Sequence, residues 1–186
     1  MAVASWLGLI FTASELCLAV FKRANAAQSR SSDRGSLLML WLVIFASVTV
    51  AYSLAAAMPS LRFGPSQLWI EFGSALFVAG LTVRWYSIFY LGRFFTVNVA
   101  IASDHQLVDS GPYRFVRHPS YTGALMAFLG LGLCLSNWAS IAVIVLPAFF
   151  AFSRRIQVEE EALTVGLGDT YREYMRRTKA LIPAIY

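Results

Sequence analysis

At 186 residues the chain has the length of one domain, but 58% of its residues are hydrophobic, 13% are charged and its mean hydropathy is +0.63, which excludes an ordinary soluble protein. A formal net charge of +5 would suggest nucleic acid in a soluble chain. Here the basic residues cluster between apolar runs, as topogenic charges do, so no nucleic-acid partner is expected.

The first apolar run covers residues 3 to 21. No positive charge precedes it and Glu15 interrupts it, so it reads as a first transmembrane helix and not as a cleavable signal peptide. An intramembrane carboxylate points to function by default, but one near the inner end of a span can also reach the interface or pair with a neighbouring helix, and Glu15 is read that way. Lys22, Arg23, Arg30 and Arg34 follow in a connector with Asp33 as the opposing charge, the pattern of a cytoplasmic loop. A second span runs from Leu37 to about Met58 and ends in a short outer loop at Met58-Pro59 and Gly64-Pro65. The third runs from about Gln67 to Leu91, with Trp69 and Trp85-Tyr86 as interfacial aromatics, Glu71 without a special role, and Arg84 expected to snorkel to the headgroups. Gly92-Arg93 breaks it.

After a polar segment, Pro119 to Ser136 and Trp138 to Ser153 read as two short spans joined at Asn137. Gly123, Gly130 and Gly132 thin the first arm for a close neighbour, and Pro147 should kink the second. The tail from Arg154 to about Lys179 reads as two separate helical pieces on the inner face, with Gly166-Leu167-Gly168-Asp169 between them and Asp169 capping a helix from Thr170. The expected fold is therefore an all-α, multi-pass integral membrane protein of five spans with a cytoplasmic helical tail. Its N-terminus faces outward, and the 92–120 segment and the C-terminus face inward; in a bacterium the location would be the inner membrane. Cys17 and Cys134 lie in apolar runs without a Cys-x-x-Cys or histidine partner, so they read as packing residues, with no metal site and no disulfide framework.

The chemistry concentrates between Asn98 and Gly123. Pro119 suits the first turn of a helix, and that helix start should offer several unpaired N–H groups and about half a unit of positive charge to an anion. The elements His105-Gln106-Leu107-Val108, Gly111-Pro112-Tyr113 and Arg117-His118-Pro119-Ser120-Tyr121-Thr122-Gly123, followed by Arg155 and the pair Glu159-Glu160, resemble the isoprenylcysteine carboxyl methyltransferase family of integral membrane enzymes. The match covers roughly the C-terminal half. It implies one membrane domain in which three spans (1–91) precede a catalytic half (92–186) that uses S-adenosylmethionine.

The resemblance also implies roles. His105, Gln106, Leu107, Val108, Tyr113, His118, Pro119, Ser120 and Tyr121 match the cofactor-binding elements, Glu159 the cofactor-binding acid, Glu160 its supporting neighbour, and Arg155 the arginine that contacts substrate and serves catalysis. Asn98 falls where the family commonly has Gln, a departure at a cofactor contact. The implied reaction moves a methyl group to an oxygen, first of all a carboxylate, of a lipophilic or lipidated substrate drawn from the membrane. A carboxylate acceptor needs no general base because it is already ionised near neutrality. A phenol, enol or amine would need one, with His105 or His118 as candidates.

Bland readings stand beside these. Arg155 and Glu159 could be an ordinary surface ion pair four residues apart, His118 a capping residue, and Arg117 a topogenic charge. A membrane reductase using a nicotinamide cofactor and a non-catalytic transporter or channel are the competing functions.

Overall fold

The computed structural model describes residues 2–23, 34–64, 66–95 and 106–183. Its helices are α1 (Ala2–Arg23), α2 (Arg34–Ala57), α3 (Ser66–Leu91), α4 (Pro119–Leu135), α5 (Trp138–Leu167) and α6 (Asp169–Arg177). Short 3-10 turns occupy Pro59–Leu61, Gly92–Phe94 and Gly111–Arg114. Leu38–Ala57, Gln67–Phe94 and Trp138–Leu167 are long and apolar enough to cross a membrane; Ala2–Leu18 and Pro119–Leu135 are shorter apolar helices. Large apolar side chains such as Trp6, Leu9, Phe45, Phe89 and Phe150 face outward. On a soluble protein that would be an unfavourable surface, whereas lipid accepts it.

The helix breaks follow local chemistry. Pro119 opens α4 as expected, and Gly92 ends α3 with a φ of +58°, a conformation glycine adopts without a Cβ clash. Asn137 starts α5 by accepting from the Ser140 N–H at 3.1 Å, while its Nδ2 donates to Met58 O at 2.9 Å and so ties the α4–α5 corner to the α2–α3 loop.

The core of the bundle is the α3–α4 pair. Gly73 lies against Gly130, and Gly80 against Gly123, seven residues apart on both helices and in opposite order, so the helices run antiparallel. A Cβ on Gly80 would stand 2.5 Å from the Gly123 carbonyl, and one on Gly130 would stand 2.5 Å from the Gly73 carbonyl. Only glycine lets the backbones approach this closely, which realises the expectation for Gly123 and Gly130. Gly132 instead faces the Ile141 backbone on the returning arm. Phe11 of α1 packs on Phe77 and Phe128, bringing the first helix onto this pair.

Three expectations are corrected. Arg84 does not snorkel: it is 8% exposed and forms a two-pronged pair with Glu15, at 2.6 and 2.7 Å. A guanidinium on the inward face of α3 lowers its desolvation penalty by meeting a carboxylate on α1, and Glu15 is accordingly a paired residue. The tail does not begin a new helix at Arg154, because α5 continues unbroken through Ser153 to Leu167, with Pro147 inside it. A change from apolar to charged side chains does not interrupt backbone hydrogen bonding. At about 1.5 Å per residue its 30 residues span roughly 45 Å, so the helix is longer than a hydrocarbon core of about 30 Å is thick. Asp169 is the first residue of α6 and not its cap: Gly168 holds the cap position, and Asp169 pairs with Arg172 at 2.7 Å.

Candidate active site

The C-terminal half of α5 meets the start of α4, and there the two polar regions singled out in the sequence converge. Arg155 and Glu159 lie one turn apart on α5, with Arg155 Nε donating to Glu159 Oε1 at 3.0 Å. Arg155 is 2% exposed, so this is no surface pair. Tyr121 of α4 donates its hydroxyl to the same Oε1 at 2.6 Å, and His118 Nδ1 stands 3.5 Å from Oε2. Glu160, the next residue, accepts from Arg117 Nε at 2.6 Å and lies 3.0 Å from His118 Nε2. The adjacent acids thus face the Arg117-His118 dipeptide side by side.

Aromatic rings continue this surface inward. Tyr121 stacks between His118 (centroids 5.9 Å apart) and Phe152 (4.9 Å). Tyr113 is buried but turned away from the acids: its hydroxyl donates to Ser87 O at 3.1 Å, and its carbonyl accepts from Tyr174 OH at 2.6 Å. Pro119 and Ser120 form the first turn of α4, both buried. Leu107 and Val108 are half-buried and Gln106 is exposed on the coil leading to the Gly111–Arg114 turn. Asn98 and His105 lie outside the described residues.

The α4 start offers fewer free N–H groups than the several expected of it. His118 N–H donates to Ala180 O at 3.0 Å, Pro119 has no N–H, and Tyr121 N–H donates to His118 O at 3.0 Å. His118 makes no side-chain cap, because its ring is engaged by the acids.

Arg117 is also more than a topogenic charge. Besides Glu160 it donates to Met175 O and Thr178 O, closing the C-terminal end of α6. A short C-terminal strap completes the frame: Arg117 N–H donates to Lys179 O at 2.8 Å and Thr122 Oγ1 to Leu181 O at 2.7 Å. Sequence reading missed the strap and Thr122. Arg117 carried a signal in its place within the Arg-His-Pro motif, whereas the strap's partners lie some sixty residues away and leave no local trace.

Burial disfavours the His118 imidazolium, but the hydrogen bonds and charges of Glu159 and Glu160 outweigh burial and hold its pKa above the ordinary 6.5. A raised folded-state pKa contributes stability that is fully present below the unfolded value of about 6.5 and is lost as pH rises through the folded value. The melting temperature of the parent should therefore fall relative to that of His118→Gln as pH is raised across this window. Parallel pH dependences in the two proteins would show that His118 is not held as the cation.

The fold and the site together define a helical integral membrane protein with a carboxylate–arginine–aromatic cluster in the C-terminal half of α5, the longest of the described helices. The family model described as the isoprenylcysteine carboxyl methyltransferase family matches residues 73–165, and the chain belongs to that family. The chain is 30% identical over 150 residues to protein-S-isoprenylcysteine O-methyltransferase A of Arabidopsis thaliana, covering 74% of this chain and 76% of that protein. It is 40% identical over 82 residues to the protein-S-isoprenylcysteine O-methyltransferase of Schizosaccharomyces pombe, covering 44% of this chain but 35% of that one. A solved structure of the eukaryotic intramembrane Ras methyltransferase of this family superposes with a TM-score of 0.59 at 27% identity, over 81% of this chain and 51% of that chain. The chain therefore spans about a third of the fission-yeast protein and about half of the solved one. None of these relatives supports the reductase or transporter readings.

Proposed function

We propose that the chain transfers a methyl group from S-adenosylmethionine to a carboxylate of a lipophilic, membrane-partitioned substrate, in the manner for which its relatives are named. The observation that carries this reading is Glu159, which gathers Arg155 of α5 with Tyr121 and His118 at the start of α4, within the segment shared with the family.

The donor set suits such a methyl donor. Its ammonium and ribose hydroxyls need an acidic acceptor, and the Glu159 side chain, 21% exposed, is open enough to serve. Its adenine needs apolar and aromatic walls, for which His118, Pro119, Tyr121, Leu107, Val108 and Tyr113 are the candidates, with Gln106 and Ser120 as polar groups, and the family resemblance adds Asn98 and His105. Glu160 supports the site by fixing Arg117 and His118. When bound, S-adenosylmethionine supplies a methyl group on a sulfonium. Transfer of that methyl to a substrate carboxylate oxygen would give an ester and a neutral thioether, with no proton for the chain's residues to move. Arg155 would align the carboxylate through its planar fork, and a site that excludes water would favour a transition state in which the charges of anion and cation are partly neutralised.

His118, facing a carboxylate from each ring nitrogen, is poorly placed to act as a base, which favours an acceptor that needs none. The reading also takes α1 to α5 as five spans with an outward N-terminus, because the basic connector after α1 and Arg154 and Arg155, where the apolar part of α5 ends, belong on one side. A reporter fused after Tyr186 should be active on the cytoplasmic side, and activity confined to the outer side would overturn the topology. The cofactor is tested by calorimetry on the purified protein with S-adenosylhomocysteine and reduced nicotinamide dinucleotide phosphate in parallel. Heat is expected with the first alone; heat with the second alone would reverse the assignment.

A further inference from the structure

A charged pair lies inside the bundle where methyl transfer does not itself call for one. Arg84 of α3 donates from Nε to Glu15 Oε1 and from Nη2 to Glu15 Oε2, and the two residues are 8% and 4% exposed. Its remaining nitrogen, Nη1, donates to Ser120 O at 3.3 Å, in the first turn of α4 and one residue before the tyrosine that meets Glu159. The α3 backbone is pressed against this turn, since a Cβ on Gly123 would stand 2.6 Å from Arg84 N. The neighbouring Trp85 Nε1 donates to Ser14 Oγ at 2.8 Å, so two consecutive residues of α3 grip two consecutive residues of α1.

Apolar side chains of similar volume commonly join helices as well as a buried ion pair does, or better. What they cannot supply is a fixed donor aimed at a backbone carbonyl.

We infer that Glu15 and Arg84 are positioning residues of the active site: Glu15 orients the guanidinium so that Nη1 pins the Ser120 carbonyl, and the pinned turn delivers Tyr121 to Glu159. Glu15 also keeps the Arg84 charge from competing for Glu159. This rests on the proposed role of Glu159 in holding the methyl donor. It adds to the site a residue on α1, which lies outside the segment matched by the family.

The test is the double variant Glu15→Leu/Arg84→Met, which removes the charges together and leaves none unpaired. It is expected to melt at or above the parent's temperature, to bind S-adenosylhomocysteine at least tenfold more weakly, and to exchange the amides of residues 120–123 faster than the parent. The charge swap Glu15→Arg/Arg84→Glu provides a second arm, since it remakes the pair but takes the donor off α3; it is expected to show the same weakened binding and faster exchange. A folded variant with parental affinity, or with parental exchange at 120–123, would reduce the pair to a structural contact and overturn the inference. A parent that binds no S-adenosylhomocysteine would instead sink the functional reading, and the exchange measurement would still decide whether the pair holds the turn.

Discussion

Arg155→Lys is expected to bind S-adenosylhomocysteine nearly as well as the parent while turning over on the order of a hundredfold more slowly. Lysine keeps the positive charge beside Glu159 but loses the planar fork that can hold both oxygens of a carboxylate. A nucleophile displaced by about 1 Å costs roughly that factor in rate. Under the proposed function Arg155 serves the acceptor, as the family resemblance implies for this position, while Glu159, its hydrogen-bond partner, serves the methyl donor. The measurement is calorimetric affinity beside single-turnover methyl transfer. A cofactor affinity that collapses in step with the rate would move Arg155 into the cofactor pocket.

Glu159→Ala should have the complementary effect, weakening S-adenosylhomocysteine binding by about 1 to 3 kcal/mol, the range for losing hydrogen bonds to a charged group. Tyr121, Arg155 and His118 all converge on this carboxylate, so Glu159→Gln is the informative companion: it keeps an acceptor oxygen for the Tyr121 hydroxyl but has no charge for the ligand's ammonium. If the ammonium is the main partner, the Gln variant should bind almost as poorly as the Ala variant. Parental affinity in a folded Glu159→Ala protein would remove Glu159 from the site.

Much of the fold could be read from the sequence because its breaks are local. Pro119 can begin a helix but not continue one, Gly92 tolerates the positive φ that ends α3, and Asn137 caps α5 with its own side chain. The Arg155–Glu159 spacing alone also puts both residues on one helical face. What remained hidden is non-local. The partner of Arg84 lies 69 residues away on α1, and no pattern within α3 distinguishes a snorkelling arginine from an inward-facing one. The unbroken α5 was hidden for a different reason. Side-chain polarity changes at Ser153, and a hydropathy reading ends the span there, although nothing in Ser153-Arg154-Arg155 obstructs the helical backbone. That continuity lets one helix carry both Phe152 in the apolar core and Glu159 in the polar cluster.

The most direct test of the central claim is methyl transfer itself. The full-length protein, reconstituted in lipid, is incubated with S-adenosylmethionine labelled on its methyl group and a prenylated cysteine bearing a free carboxylate, with the corresponding carboxamide as control. The account predicts label in a product of the free acid that mild base releases as methanol, as expected of an ester, and none with the carboxamide. Equal labelling of both compounds, or a label that base does not release, would contradict it.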